Sequence, residues 1–226
     1  MPISGITKAT IISRAFVIYN ETEGKAGEFT STAVGTFVQQ AAQEFTLRSG
    51  CLVGSSRITR PDTATGESWV TIPTGGFRVF RVDWLRRIGA TQSKSELRQT
   101  TMRQLSLREG PSWMYDSEST CGTAADNHAY YRVGARKLGF YPPNVTSTAG
   151  TVIVHYHRVA TAMATGTSVC DIPAEFIPGV EYLTAKRMAE KDSNSSVAAT
   201  RAQQFEARAA EYIGMASAYR PLEETG

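Results

Sequence analysis

Cysteine is scarce in this sequence of 226 residues: Cys51, Cys121 and Cys170 are far apart and odd in number. That argues against a disulfide framework and reads as reduced, unreactive thiols in a cytosolic setting. No apolar run approaches the roughly 20 residues that a membrane span needs. Lys8 and Arg14 interrupt the run Ile11, Ile12, Phe16, Val17, Ile18, so no signal peptide is expected. The sequons beginning at Asn20, Asn144 and Asn194 then read as chance matches. The G-x-S-x-G elbow, the G-x-x-x-x-G-K-[ST] phosphate loop and the G-x-G-x-x-G fingerprint are all missing. Carboxylates are scattered, with no pair in an apolar setting that would split their proton affinities. No internal repeat and no low-complexity tract occur. These absences leave an enzyme, a membrane protein and a disulfide-stapled domain without footing, and no catalytic residue or cofactor is predicted.

What is present suits a core-forming chain. The length fits one domain, or one domain with an insertion. Hydrophobic content of 41% and charged content of 20% are ordinary for a globular protein. The net charge of +3 is too small to imply nucleic-acid binding by itself, but it is unevenly placed. From Phe77 to Arg108 there are eight cations (Arg78, Arg81, Arg86, Arg87, Lys94, Arg98, Arg103, Arg108) against Asp83 and Glu96. That segment is net +6, and the rest of the chain net −3.

Apolar periodicity predicts helices at both ends. Ile12, Ala15, Phe16 and Tyr19 share one face of a helix over about 7–19. A polar link over 20–27 leads to a second helix over about 32–49, N-capped by Thr30 or Ser31. Its stripe is Val34, Phe37, Val38, Ala41, Ala42 and Phe45, and Gly50 stands where a left-handed C′ residue is wanted. Gly35 is a flaw inside it, costing about 1 kcal/mol against Ala. A third helix opens at Pro173 in the run Asp171-Ile172-Pro173-Ala174-Glu175-Phe176, and Pro178 should bend or restart it. Phe176, Val180, Leu183 and Met188 face inward. After a polar turn over 192–196, a fourth helix runs to about Ala218 with the stripe Ala198, Ala202, Phe205, Ala209, Tyr212, Ala216.

Between the helical ends the period changes to that of strands. Trp69 to Ile72 reads as a strand stopped by Pro73. Phe77, Val79 and Val82 alternate with arginines, with Phe80 out of step. Tyr130, Tyr131, Val133 and Leu138, Phe140, Tyr141 make a hairpin around Gly134, stopped by Pro142-Pro143. Thr151 to His157 is the strongest strand signal. A weak helical pattern covers Ser93 to Glu109. The pattern as a whole predicts an α+β fold. Its four-helix core comes from N- and C-terminal helical hairpins (residues 1–50 and 172–218). An antiparallel β-rich domain (51–171) is inserted, and an extended tail follows (219–226).

Candidate functional residues are few. His155 and His157 share one face of a strand and could ligate a metal, but no third ligand has sensible spacing, so surface or interface histidines is the plainer reading. Cys121, Asp126 and His128 would have to converge from one short loop to make a nucleophilic site, which is not expected. The arginine-rich segment 77–108 is either a solvated face or a surface for a polyanion or acidic protein. Trp84 and Trp113 are either interface anchors or core. No helix-turn-helix or RNP pattern accompanies the basic residues.

Several segments, read in order, resemble one family. They are Phe37-Val38-Gln39-Gln40-Ala41-Ala42-Gln43-Glu44-Phe45 with Gly50-Cys51-Leu52, Trp69-Val70-Thr71-Ile72-Pro73, and Phe80-Arg81-Val82. Next come Pro111-Ser112-Trp113 and Tyr130-Tyr131-Arg132-Val133-Gly134 with Leu138-Gly139-Phe140-Tyr141-Pro142-Pro143. The last are Gly150-Thr151-Val152-Ile153-Val154-His155-Tyr156 and Asp171 to Phe176. Over about residues 10–215 the chain is similar to the head-to-tail adaptor (connector) proteins of tailed bacteriophages. The insertion between Gly110 and Ala129, and Gly35, depart from the family pattern.

The resemblance implies a structural virion protein at the head–tail junction, present in the host cytoplasm before assembly. It implies a ring, usually of twelve copies, between a portal protein and a tail or nozzle protein. Genomic double-stranded DNA would pass through the centre without sequence-specific contacts, and no membrane is involved. The interface candidates are Arg78, Arg81, Arg86, Arg87, Trp84 and Trp113, with Tyr219, Arg220, Pro221 and Leu222 for portal docking. The competing reading is a nucleic-acid-binding protein that uses segment 77–108. A third, a metal-dependent enzyme on His155 and His157, predicts stoichiometric metal.

Overall fold

The structure is a computed structural model and describes residues 5–19, 29–59, 69–88, 91–110, 113, 128–134, 136–142, 151–192 and 197–219. Side chains at 86–88 and 91–93 are outside the description. So are the 20–27 link, most of the insertion between Gly110 and Ala129, with Cys121 and Asp126, and the turn at 193–196. Arg220, Pro221 and Leu222 fall outside it too. The elements run α1 (Lys8–Tyr19), α2 (Ser31–Ser49), β1 (Val53–Thr59), β2 (Trp69–Thr71), β3 (Gly76–Ile88), β4 (Thr91–Glu96), β5 (Arg98–Thr100) and α3 (Met102–Glu109). They continue β6 (Ala129–Val133), β7 (Lys137–Tyr141), β8 (Thr151–Arg158), α4 (Ile177–Lys191) and α5 (Ala198–Ala218). The α+β expectation is borne out. The chain forms two compact units, Met1–Leu52 with Arg158–Gly226, and Val53–His157.

In the first unit, α1, α2, α4 and α5 contribute to one apolar cluster that includes Ile11, Phe16, Val38, Phe45, Leu183 and Ile213. The ends of α2 follow the sequence signals. Thr30 Oγ1 accepts from the Ala33 amide at 3.2 Å, and Gly50 closes the helix at φ 65°. Gly35 faces α1: a Cβ there would lie 3.2 Å from Lys8 Cε, the movable end of a side chain, and 3.6 Å from Ile12 Cδ1, an ordinary contact.

The third helix restarts where proline demands it. Ala174–Phe176 is a short 3-10 turn, and α4 begins at Ile177 with Pro178 in its first turn, where no backbone donor is lost. α4 packs against α1, α2 and α5 and is accordingly apolar on most sides. Gly179 is its tightest point: a Cβ would meet Phe45 Cε2 at 2.5 Å and Tyr212 Cβ at 2.8 Å.

Residues 158–171, read from sequence as part of the β-rich region, belong to this unit. Ala160, Met163 and Cys170 lie in its core. Two polar side chains hold the segment: buried Thr46 accepts at Oγ1 from the Ala160 amide at 3.1 Å, and half-buried Gln39 accepts at Oε1 from the Met163 amide at 2.7 Å. Among the described residues no helix is long and apolar enough to cross a membrane.

The second unit holds two four-stranded sheets, in the orders β1-β8-β3-β4 and β2-β7-β6-β5. β8 alternates, with Val152, Val154 and Tyr156 buried and His155 and His157 on the other face. β6 and β7 form the expected hairpin, Tyr131 facing Gly139, with Gly134 at φ 68° in the turn. Two expectations need correction. The sheets are not wholly antiparallel, because β5 pairs parallel to β6. Ser93 to Glu109 is not one helix: β4 and β5 occupy its first half, and Leu97 is buried between them in the core. Helix starts only at Met102, where Thr101 and Gln104 form a capping box.

Candidate interaction surfaces

The most organised polar group in the β unit is built around Asp83. Its carboxylate is fully buried on β3. It accepts from Arg81 Nε at 2.8 Å, contacts His155 Nε2 at 2.9 Å and pairs with Lys94 Nζ at 3.1 Å. Register explains the meeting: Asp83 stands opposite Glu96 on β4, and His155 projects from β8 on the face away from the apolar core. Burial pushes the Asp83 carboxyl up, but the bonds from Arg81, His155 and Lys94 outweigh it, and the net direction is down. Beside it, the Phe80 ring lies 4.9 Å from the His157 ring and 6.2 Å from the His155 ring. Among the described residues no three His, Cys, Asp or Glu side chains stand together as a metal site.

The structure thus sorts the predicted interface residues. Arg81 is committed to Asp83. Arg78 is exposed and makes no ion pair among the described residues. Arg86 and Arg87 lie on β3 opposite Ser93 and Gln92. Trp84 and Trp113 correct the anchor reading. They are 1% and 3% exposed, and large aromatic surfaces of that kind stabilise the interior instead. Trp84 packs in the sheet core, and Trp113 sits edge-on to Tyr131 with its Nε1 donating to Ser106 Oγ at 3.0 Å. Tyr219 is exposed, with its ring 5.5 Å from Phe176.

Sequence reasoning missed a second basic group. Arg132, Arg136 and Lys137 flank the β6–β7 turn, and Arg132 Nη2 donates to the Val79 carbonyl at 2.8 Å. The usable signal was an absence: residues 69–82 and 128–142 contain no Asp or Glu.

The helical unit is charged differently. Arg48 reaches Glu206 at 2.7 Å and Glu44 at 3.1 Å, Lys186 reaches Glu206 at 2.9 Å, and Arg187 reaches Glu44 at 2.7 Å. These contacts tie α2, α4 and α5 together. Arg14 of α1 reaches the buried Glu181 of α4 at 3.2 Å. Burial raises the Glu181 carboxyl, and Arg14 offsets only part of that. Burial also raises the Cys51 thiol, and that of Cys170 to about 11, so both are unreactive at neutral pH.

The profile of the SU10 adaptor protein family matches residues 6–224, a span that includes both units. The chain belongs to the SU10 adaptor protein family. Membership bears out the resemblance to head-to-tail adaptors of tailed bacteriophages, and the family is one of structural proteins. No curated protein matches the chain. Among solved structures, a chain in "Neck of empty GTA particle computed with C6 symmetry" is similar over 91% of this chain and 95% of its own. Its identity is 10% and its TM-score 0.27, too low to say more about this adaptor.

Proposed function

We propose that this adaptor assembles as a closed ring, in the twelve copies usual for its relatives, between a portal protein and a tail or nozzle protein. Genomic duplex DNA passes through the ring, and the protein works as a virion component without catalysis. Family membership across both units carries this reading. A ring of identical subunits needs two different patches that mate head to tail. The helical unit offers exposed apolar side chains on separate helices as candidates for such patches, Val17 on α1, Leu47 on α2 and Met215 on α5, at 76%, 50% and 52%.

Arg86 and Arg87 are assigned to ring or portal contacts. The chain leaving α5 at Tyr219 is assigned to portal docking, with Arg220, Pro221 and Leu222. Co-sedimentation with the portal protein tests both. The full chain should co-sediment, and a chain ended after Ala218 should do so weakly. A truncated chain that binds as well as the full one removes the docking role of the tail. A full chain that never co-sediments removes the adaptor reading. The nucleic-acid-binding alternative on segment 77–108 is less well supported, because Arg81 and Lys94 share the acids Asp83 and Glu96 and Arg108 pairs with Glu109.

A further inference from the structure

Two turns stand side by side at one end of the β2-β7-β6-β5 sheet. In the first, the Gly76 amide donates to the Pro73 carbonyl at 3.0 Å, with Gly75 at φ 87°. The second is the β6–β7 turn at Gly134. They are locked together: Thr71 faces Lys137 in register, and the Ile72 amide donates to the Arg136 carbonyl at 2.7 Å. Cations flank both turns. Arg78 follows the first, Arg132 precedes the second, and Arg136 and Lys137 follow it. Arg132 is anchored on the Val79 carbonyl, next to Arg78 along β3. Lys137 Nζ lies 5.0 Å from the Trp69 ring centroid.

Among the described residues none of these four cations pairs with a carboxylate. The two segments that carry them, 69–82 and 128–142, contain no acid at all. Like charges gathered without counter-charge are relieved by an anion. The nature of that anion follows from what else is missing. Protein interfaces rest on apolar and aromatic anchors at their centre. The exposed large apolar side chains of the described residues, such as Val17, Leu107 and Met215, all lie outside these two segments. Contact with a phosphate backbone needs cations alone. At Gly134 a Cβ would meet nothing within 4 Å, so the chain there is open to an approaching backbone.

We propose that this turn end contacts the phosphate backbone of duplex DNA without reading its sequence. The assignment rests on the reading that DNA passes through the assembled adaptor. The test is the salt dependence of binding, by fluorescence anisotropy, of the full chain to a short labelled duplex of arbitrary sequence. The variant is Arg78→Gln with Arg136→Gln and Lys137→Gln. Arg132 is left intact because it bonds the backbone. Each phosphate that the variant leaves without its cation should flatten the slope of log K against log salt by about 0.9. Arg98→Gln with Arg103→Gln, two exposed cations elsewhere in the unit, should leave the slope unchanged.

Three salt-titration results overturn the proposal: no salt-dependent duplex binding by the wild type, a wild-type slope in the turn variant, or equal flattening by the Arg98/Arg103 variant. Polyglutamate competing as well as duplex also overturns it, in favour of an acidic protein. Thermal melting checks that the turn variant is folded. Portal co-sedimentation of the same proteins separates the two readings. A chain that ignores portal yet binds DNA through these residues leaves this proposal standing and sinks the ring.

Discussion

The helical unit and the β unit dispose of charge in opposite ways. By sequence the helical unit carries eleven basic and thirteen acidic residues, and the β unit thirteen basic and eight acidic. In the helical unit the cations answer acids on neighbouring helices, with Glu44 and Glu206 each bridging two of them. Among the described residues of the β unit only Asp83 gathers such a network, and Arg78, Arg98, Arg103 and Arg136 stay unpaired there. The apolar interior differs as well. One cluster serves all four helices, whereas the β unit has a large cluster between strands and a smaller one around Leu105 and Trp113. The lesson is a contrast: one unit uses its charges to fix its own packing, and among the described residues of the other several cations stand without a carboxylate.

Four changes would break or sharpen that contrast. The largest effect belongs to the shared helical core. Phe45→Ala empties a fully buried position and should cost about 3–5 kcal/mol, read by denaturant unfolding. Unfolding that spares the β-unit signal would show that the units are independent. Gly179→Ala overpacks the α4 contact with Phe45 and Tyr212 and should cost about 1–3 kcal/mol in the same assay. Asp83→Ala unties the Arg81–Lys94–His155 network of the β unit and should also cost about 1–3 kcal/mol. The triple turn variant should stay within about 1 kcal/mol of wild type, because among the described residues the one contact it removes is Lys137 Nζ over the Trp69 ring.

The pH dependence should differ between units too. Asp83 has a lowered folded pKa, so its stabilisation is present above the unfolded carboxylate value and is lost as pH falls through the lower folded value. Glu181 has a raised one, so its contribution is present below the unfolded value and is lost as pH rises through the folded value. Ionised Glu181 is therefore a burden at neutral pH. Glu181→Gln should raise the melting temperature at about pH 7 more than at about pH 4. An equal shift at both values would contradict the buried-carboxylate account.

Much of the fold was legible because helices announce themselves locally. The stripe of α2, its Thr30 cap and its Gly50 stop are all sequence-local signals, and the structure follows them. The Gly134 hairpin was legible for the same reason. What was not legible depends on distant partners. Residues 158–171 look like loop, and only the hydrogen bonds to Thr46 and Gln39 assign them to the helical unit. The parallel β5–β6 pair joins segments nearly thirty residues apart, and a weak helical period masked β4 and β5. At the interaction surfaces, counting arginines along 77–108 found charge but not its neutralisation, since Asp83 lies inside the same run. Arg132, Arg136 and Lys137 were overlooked because their partner segment, 69–82, is remote in sequence.

The central claim is that this SU10-family adaptor closes into a ring on a portal. Native mass spectrometry of the full chain, alone and with the portal protein of its phage, tests that most directly. The account predicts a portal-bound species heavier than portal by about twelve times 24.6 kDa, the mass of one chain. A spectrum in which portal and free single chains coexist without any joint species would contradict it.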